Sequence, residues 1–276
     1  MPPRTQVSVA VSADGESWVL LNASPDLPYQ LRANKMLHPA AGGQTRHSPL
    51  RAVVLSGGDV DCIAGLLSLR ESQPLTVYAG AHVLDVIESN QIFRVLNREV
   101  VGFLPLPPGV EVPLRDADGV ALGLAVRAFS VPGKIPLYQE TPGDPRQFGS
   151  ATAVIGLSIT GPGGRRLVYM PGCADVTDEV RHEIEGAALL FFDGTLWEDD
   201  EMIRAGAGTK TGRRMGHISI SGPGGSMAAL AGVAVARRVF IHINNTNPVL
   251  CADSPQAAQV RAAGWDIAYD GMEFTL

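Results

Sequence analysis

Three apolar pairs joined by tight turns constrain this chain more than any other feature. QVSVAVSADGESWVLLNAS turns at Asp14-Gly15, GVEVPLRDADGVALGLAVRAFSV turns at Asp116–Gly119, and SATAVIGLSITGPGGRRLVYMPG turns at GPGG. Asp-Gly and Gly-rich steps between alternating apolar runs signal β-hairpins, because these residues enter the positive-φ turn region cheaply. Hairpins in turn require antiparallel strand pairs. Around them the chain reads as strand–helix units: RAVVL then DCIAGLLSLRES, and PLTVYAG then AHVLDVIESNQIFRVL, with Leu84, Ile87, Ile92, Val95 and Leu96 near one face. Later come the helix DVTDEVRHEIEG, the strand ALLFFDG ending in Asp193, the helix SMAALAGVAVARR, the strand RVFIHINN, the helix SPQAAQVRAAG and a closing strand, WDIAYDGMEFTL. Strand–helix units alone would equally suit a doubly wound sheet, and the hairpins argue against it. No linker interrupts the pattern. The expectation is an α/β (α+β) chain forming one domain over residues 1–276, a four-layer αββα sandwich of two mixed sheets flanked by helices.

Composition narrows the function classes. At 45% hydrophobic and 18% charged residues, the chain can build a sizeable core. A net charge of −6 without a Lys/Arg cluster gives no support to nucleic-acid or anionic-membrane binding. MPPRTQVSVAVSADG has no basic segment followed by an apolar one, and no apolar run reaches membrane-spanning length. Cys62, Cys173 and Cys251 are odd in number, widely spaced and without a CxxC pair, which fits a reduced cytoplasmic setting better than a disulfide framework or a zinc knuckle.

The distinctive polar residues fall just past strands. Asp59, Asp61 and Cys62 follow RAVVL, Cys173 and Asp175 follow RRLVYM, and Asp193 follows ALLFF. His242 lies in VFIHINN with Asn244, Asn245 and Asn247 after it, and His217 opens HISISG behind a Gly-rich polar stretch, 198–216, expected to be a functional or mobile loop. Strand ends of one sheet can share a rim and so assemble a site from distant segments. Carboxylates with imidazole suit Fe(II), Mn or Zn, and a thiolate would favour zinc. Each residue also has a plainer reading: Asp59 as a helix cap, Cys62 as a small buried residue, His242 as a hydrogen-bonded core histidine, and the Asn run as a turn rather than a polar-substrate grip. DGTL in FFDGTLW is part of the signature of haloacid-dehalogenase-like phosphotransferases, but Phe191 stands where the nucleophilic Asp belongs. The two GPGG stretches lack phosphate-loop spacing.

Taken together, RTQVSVAVSADGESWVLLNASPDL, RHSPLRAVVLSGGDVDCIAGLLSLRE, FSVPGKIPLY, YMPGCA, FDGTLWEDDEMI, GTKTGRRMGHISISGPGGS, FIHINNTNPVL and GWDIAYDGMEF resemble the B-protein family of pyrroloquinoline quinone (PQQ) biosynthesis. The resemblance runs through nearly the whole chain and implies the metallo-β-lactamase fold. That superfamily's HxHxDH signature would fall on Gly57, Asp59, Asp61 and Cys62, and SVPGK puts Ser130 where a further ligand would stand. A bridging aspartate would fall near Cys173, and the late ligand histidine matches His242. The resemblance therefore implies one metal rather than a two-zinc hydrolase centre, held by Asp59, Asp61 and His242 with Cys62 as a further candidate. Fe(II) is the expected metal, with Zn as the alternative and O2 as co-substrate.

Asp193 and His217 resemble an Asp–His pair that aids proton transfer in related hydrolases. Lys210, Arg213 and Arg214 would grip substrate carboxylates, with Asn244 and Asn245 as further binding candidates. The implied activity is hydroxylation of the tyrosine in a Glu–Tyr intermediate cut from a precursor peptide. The alternative is a carrier moving PQQ or its precursor toward the periplasm. The partner is then a small peptide-derived substrate or PQQ itself, and a homodimer is left open. Family members usually carry a CxCxxC-type zinc knot before the first hairpin. A chain starting MPPRTQ is expected to be either shortened or a member that dispenses with that metal.

Overall fold

LRAVVL shows why the strands lie where they do. Ala52 and Val54 face one apolar cluster while Leu50, Val53 and Leu55 face another, so the strand is buried on both sides with a period of two. The computed structural model describes residues 4–40, 47–141 and 153–276. The loop read at 39–49 lies mostly outside them.

Twelve strands occur in the described residues: β1 (Val9–Ser12), β2 (Trp18–Leu21), β3 (Leu50–Leu55), β4 (Leu75–Ala79), β5 (Val101–Pro105), β6 (Glu111–Arg115), β7 (Ala121–Ser130), β8 (Ile155–Thr160), β9 (Arg166–Met170), β10 (Leu189–Asp193), β11 (Arg238–Ile241) and β12 (Trp265–Ile267). They form a five-stranded sheet, β1-β2-β3-β4-β5, and a seven-stranded sheet, β12-β11-β10-β9-β8-β7-β6. All three expected hairpins form: β1–β2, β6–β7 and β8–β9 are antiparallel. β2 to β5 pair in parallel, as do β9 to β12, so both sheets are mixed as the hairpins and strand–helix units together require.

Three cores follow. One fills the space between the sheets, with Leu21, Val54, Leu157, Tyr169 and Phe191. The second lies under the helices of the first sheet, and the third, with Met170, Phe192, Phe240 and Trp265, under those of the second. This is the four-layer αββα sandwich. Among the described residues no helix is long and apolar enough to cross a membrane.

Several elements differ from the sequence expectation. The helix from Ala81 stops at Ser89, because Asn90 is extended and its side chain bonds back to Val86 O at 2.7 Å. A 3-10 turn, Gln91–Val95, then shifts the register. Phe93 and Leu96 go inward while Ile92 and Val95 are 63% and 43% exposed, so the single apolar face read over 84–96 is not formed. Segment 198–216 is not a featureless loop but holds two short helices, Glu201–Arg204 and Gly212–Met215, the second capped by Thr211. SMAALAGVAVARR gives only one helical turn, Ser226–Ala229. In the closing segment only Trp265–Ile267 joins the sheet, and Phe274 instead packs edge-on against Phe191.

Candidate metal centre

Parallel strands bring their C-terminal ends to one edge, a common place for a site. Here β9, β10 and β11 deliver Cys173, Asp193 and His242, while β3 of the other sheet delivers Asp59 and Asp61. The candidate centre therefore lies across the seam between the sheets.

Asp59 occupies the N-cap position of the short helix Val60–Ile63, but its side chain makes no capping bond. It accepts instead from Leu137 N at 3.1 Å. That corrects the helix-cap reading. Burial raises the Asp59 pKa, Lys134 opposes that, and the nearby Asp61 charge adds to the rise. Asp61 Oδ2 lies 2.7 Å from His242 Nε2. Burial pushes Asp61 upward, but the bond to His242 and the charge of that ring prevail and leave its pKa lowered. Burial works against the charged form of His242, yet Asp61, Asp193 and Asp59 raise it to about 9. His242 is not a strand residue. It follows β11 with φ 59°, a left-handed backbone uncommon for a side chain of this size and often found at functional sites.

Asp193, 0% exposed, anchors the other half. Its Oδ2 accepts from Cys173 N at 2.8 Å and lies 2.7 Å from His217 Nδ1. Its Oδ1 accepts from Thr195 N at 3.0 Å and from the Thr195 hydroxyl at 2.6 Å. Asp193, His217 and His242 offer ligating atoms within 4.8 Å of one another. With four donors, however, the acceptor sites of the Asp193 carboxylate are filled, so it serves as an anchor rather than a ligand. The two imidazoles stack, with centroids 5.1 Å apart.

Cys62 lies behind this centre. It is buried, packs with the helix-side core of the first sheet, and has its Sγ 3.4 Å from Asn22 Nδ2. Burial, followed by the charges of Asp61 and Asp59, holds its thiol pKa well above the ordinary value. Asn22, itself at φ 59°, also donates to Ser56 Oγ at 2.9 Å and to Tyr169 Oη at 3.1 Å, tying the two sheets together beneath the site.

Lys210 does not stand alone. Glu140 receives Lys210 at 2.7 Å and Lys134 at 2.9 Å, with Arg214 at 3.8 Å. Burial acts to raise Glu140, but the two lysines outweigh it and lower its pKa. The Arg213 side chain is exposed, and its backbone N–H donates to Asp199. Asn244 turns its amide to Met202 Sδ and Thr246, and the Asn245 N–H donates to Asn244 Oδ1. Both line a cleft that also reaches Asp61, Thr195 and His242. Asn247 is a buried turn residue that donates to Gly194 O.

The sequence reading passed over Thr195, Lys134, Glu140, Asn22 and Tyr169. Only Asn22, within LLNAS, and Thr195 of DGT carried any signal, since both are polar residues at strand ends.

Asp61 faces the His242 Nε2, and carboxylate with imidazole suits a single divalent cation of hard or borderline character; among the described residues the group whose ligating atoms all lie within 4.8 Å of one another is nonetheless Asp193, His217 and His242. Asp61 and His242 fit such a cation, with Asp59 as a further carboxylate in electrostatic reach of both.

A domain built this way belongs to the β-lactamase superfamily, and the sequence model described as Beta-lactamase superfamily domain matches residues 17–243. A diphosphatase of the PhnP family shares the fold at 17% identity and TM-score 0.66, covering 98% of this chain and 83% of that one. Within the superfamily the chain belongs to the coenzyme PQQ synthesis protein B family, and its process is PQQ biosynthesis. The relative from Methylobacterium sp. (strain 4-46) is 51% identical over 274 residues, 99% of this chain and 88% of its own length. The one from Gluconacetobacter diazotrophicus is 48% identical with the same coverage. The crystal structure of Zn(2+)-bound PqqB from Methylobacterium extorquens superposes with TM-score 0.93 at 50% identity, covering 100% of this chain and 89% of that one.

Proposed function

We propose that this chain carries out an oxidative step of PQQ assembly, hydroxylating the tyrosine ring of a Glu–Tyr-derived intermediate with O2 at one Fe(II). The observation that carries the reading is Asp61 facing His242 at 2.7 Å across the seam, with the Asp59 charge also acting on His242. This small, mixed oxygen and nitrogen set leaves positions open for a substrate and O2. A Zn(2+)-bound relative supports a metal in a chain of this kind, and Zn is the alternative occupant.

Bound Fe(II) would supply the activation of O2. One oxygen atom enters a ring C–H as a hydroxyl and the other leaves as water. The two electrons come from an external reductant of the ascorbate class. Asp59, Asp61 and His242 hold the cation. Asp193 accepts the His217 Nδ1 hydrogen, so His217 presents Nε2 as a lone pair able to take the phenolic or ring proton. Lys210 and Arg214, beside Glu140, receive the carboxylates of the intermediate, with the exposed Arg213 and the cleft residues Asn244 and Asn245 as further contacts.

The test loads metal-free protein with Fe(II) anaerobically, then adds ascorbate, O2 and Glu–Tyr dipeptide. A mass gain of one oxygen atom in the dipeptide is expected, lost in Asp61→Ala and His242→Ala. A gain that survives both substitutions would overturn the ligand set. No gain, together with tight PQQ binding, would favour the carrier reading. The cluster of Lys134, Lys210 and Arg214 supports that second reading, because it suits a tricarboxylate product equally well.

A further inference from the structure

The Thr195 hydroxyl stands at the meeting point of the site. Its Oγ1 lies 2.6 Å from Asp193 Oδ1, 2.7 Å from His242 Nδ1 and 3.0 Å from His217 Nδ1. A hydroxyl has one hydrogen and two lone pairs. Asp193 is fully buried and accepts from two backbone N–H groups, so its carboxylate acts as an acceptor and takes the Thr195 hydrogen along the 2.6 Å contact. Thr195 Oγ1 then has only lone pairs left for the two imidazoles. A second acceptor at 2.7 Å would face it lone pair to lone pair, so His242 Nδ1 must carry a hydrogen.

We propose that Thr195 is a positioning residue that fixes His242 as the Nδ1–H tautomer and so leaves Nε2, the nitrogen facing Asp61, as the metal-binding atom. The same accounting holds His217 as Nδ1–H, shared between Asp193 Oδ2 and Thr195. One buried carboxylate thus orients both rings, His217 directly and His242 through one hydroxyl. Outer hydrogen bonds of this kind set ligand tautomer and tune metal affinity.

The local sequence explains how Thr195 gets there. Gly194 donates to Ile241 O at 2.8 Å, and a Cβ at 194 would meet Phe240 Cβ at 2.9 Å and Ile241 O at 3.0 Å. Only a glycine lets the chain leaving β10 hug the end of β11 and bring the next residue beside His242. The step Asp193-Gly194-Thr195 is therefore read as anchor, close approach and relay.

The inference rests on the reading of His242 as a metal ligand, and the experiment separates the two. Metal-free wild type, Thr195→Val, Thr195→Ser and His242→Ala are titrated calorimetrically with Zn2+. The ring hydrogens of the Zn2+-loaded histidines are located by nitrogen-15 NMR, with thermal melts as a folding control. Thr195→Val, which keeps the shape and removes the hydroxyl, should bind Zn2+ about 10- to 100-fold more weakly. Thr195→Ser should restore affinity. Wild type should show the His242 hydrogen on Nδ1, and Thr195→Val should lose or broaden that signal. A folded Thr195→Val with wild-type affinity, or a His242 hydrogen on Nε2 in wild type, would overturn the proposal. Undiminished Zn2+ binding by His242→Ala would instead overturn the ligand reading, while the ring-hydrogen position still judges Thr195.

Discussion

Asp61 Oδ2 and His242 Nε2 are 2.7 Å apart although 181 residues separate them, and the contact joins the two sheets. In the metal-free protein it is a hydrogen-bonded ion pair, with His242 raised from 6.5 to about 9 and Asp61 lowered. A raised histidine stabilises the fold fully below its unfolded value and ceases to do so as pH rises through the folded one. A lowered aspartate acts in the opposite sense, stabilising above its ordinary 3.8 and losing that as pH falls through its depressed value. The melting temperature of metal-free protein should therefore fall between 6.5 and 9, and His242→Gln should flatten that alkaline limb. An unchanged limb in the variant would contradict the assignment. A cation must displace the His242 proton, so Zn2+ affinity should climb with pH over the same interval.

The sheets were legible because their signals are local. The turns at Asp14-Gly15 and Asp116–Gly119 are chemical requirements of hairpins, and double-sided burial of RAVVL and ALLFF shows as unbroken apolar runs. Helix lengths were less legible. Apolar spacing continued past Asn90, but one side-chain bond to Val86 O ended the helix there. Asp59, Asp61 and His242 could be picked out as strand-end residues. That Asp59 would forgo its cap for Leu137 N, and that Asp61 would meet His242, depends on how one sheet lies over the other, which no periodicity encodes. The role of Thr195 was hidden for the same reason: it is a polar strand-end residue in the sequence, but its meaning comes from three partners brought in by separate segments.

The cysteines should differ sharply in reactivity. Cys251 is exposed, whereas Cys62 and Cys173 are buried and burial is the main cause that raises both thiols. The thiolate is the reactive form. A disulfide reagent under native conditions should modify one thiol quickly and the other two only on unfolding. Cys251→Ser should abolish the fast phase, and a fast phase that persists in that variant would show Cys62 or Cys173 to be accessible.

Gly65 carries a packing constraint. Its N–H donates to Ala23 O at 2.8 Å, and a Cβ there would lie 2.3 Å from Ser24 O and 2.8 Å from Ala23 O. Both obstacles are backbone, so the segment after Asp61 and Cys62 would have to withdraw from the end of β2. Gly65→Ala should cost about 1–3 kcal/mol in chemical denaturation, the range for overpacked interiors. Gly102→Ala, with nothing within 4 Å of the added methyl, serves as the control. Equal stabilities of the two variants would show that the close approach is unimportant.

The cationic cluster gives a prediction common to the oxygenase and carrier readings. Glu140 is contacted by Lys134, Lys210 and Arg214, so three cations gather at one place. Lys134 is nearly buried, while Lys210 and Arg214 are about a third or more exposed, and the exposed pair are the ones a ligand can reach. Removing Lys210 leaves Glu140 still paired with Lys134, so the fold should tolerate Lys210→Ala. A lost bond to a charged group is worth ~1.5–3 kcal/mol, about 10- to 100-fold in affinity. Lys210→Ala should weaken PQQ binding by that factor. It should also raise KM for Glu–Tyr dipeptide with kcat unchanged, because the interaction lies away from the reacting ring. Salt should weaken binding to wild type more than to the variant. Undiminished PQQ affinity in Lys210→Ala, with the same salt dependence, would show that the Lys–Glu network only braces the segment around Glu140.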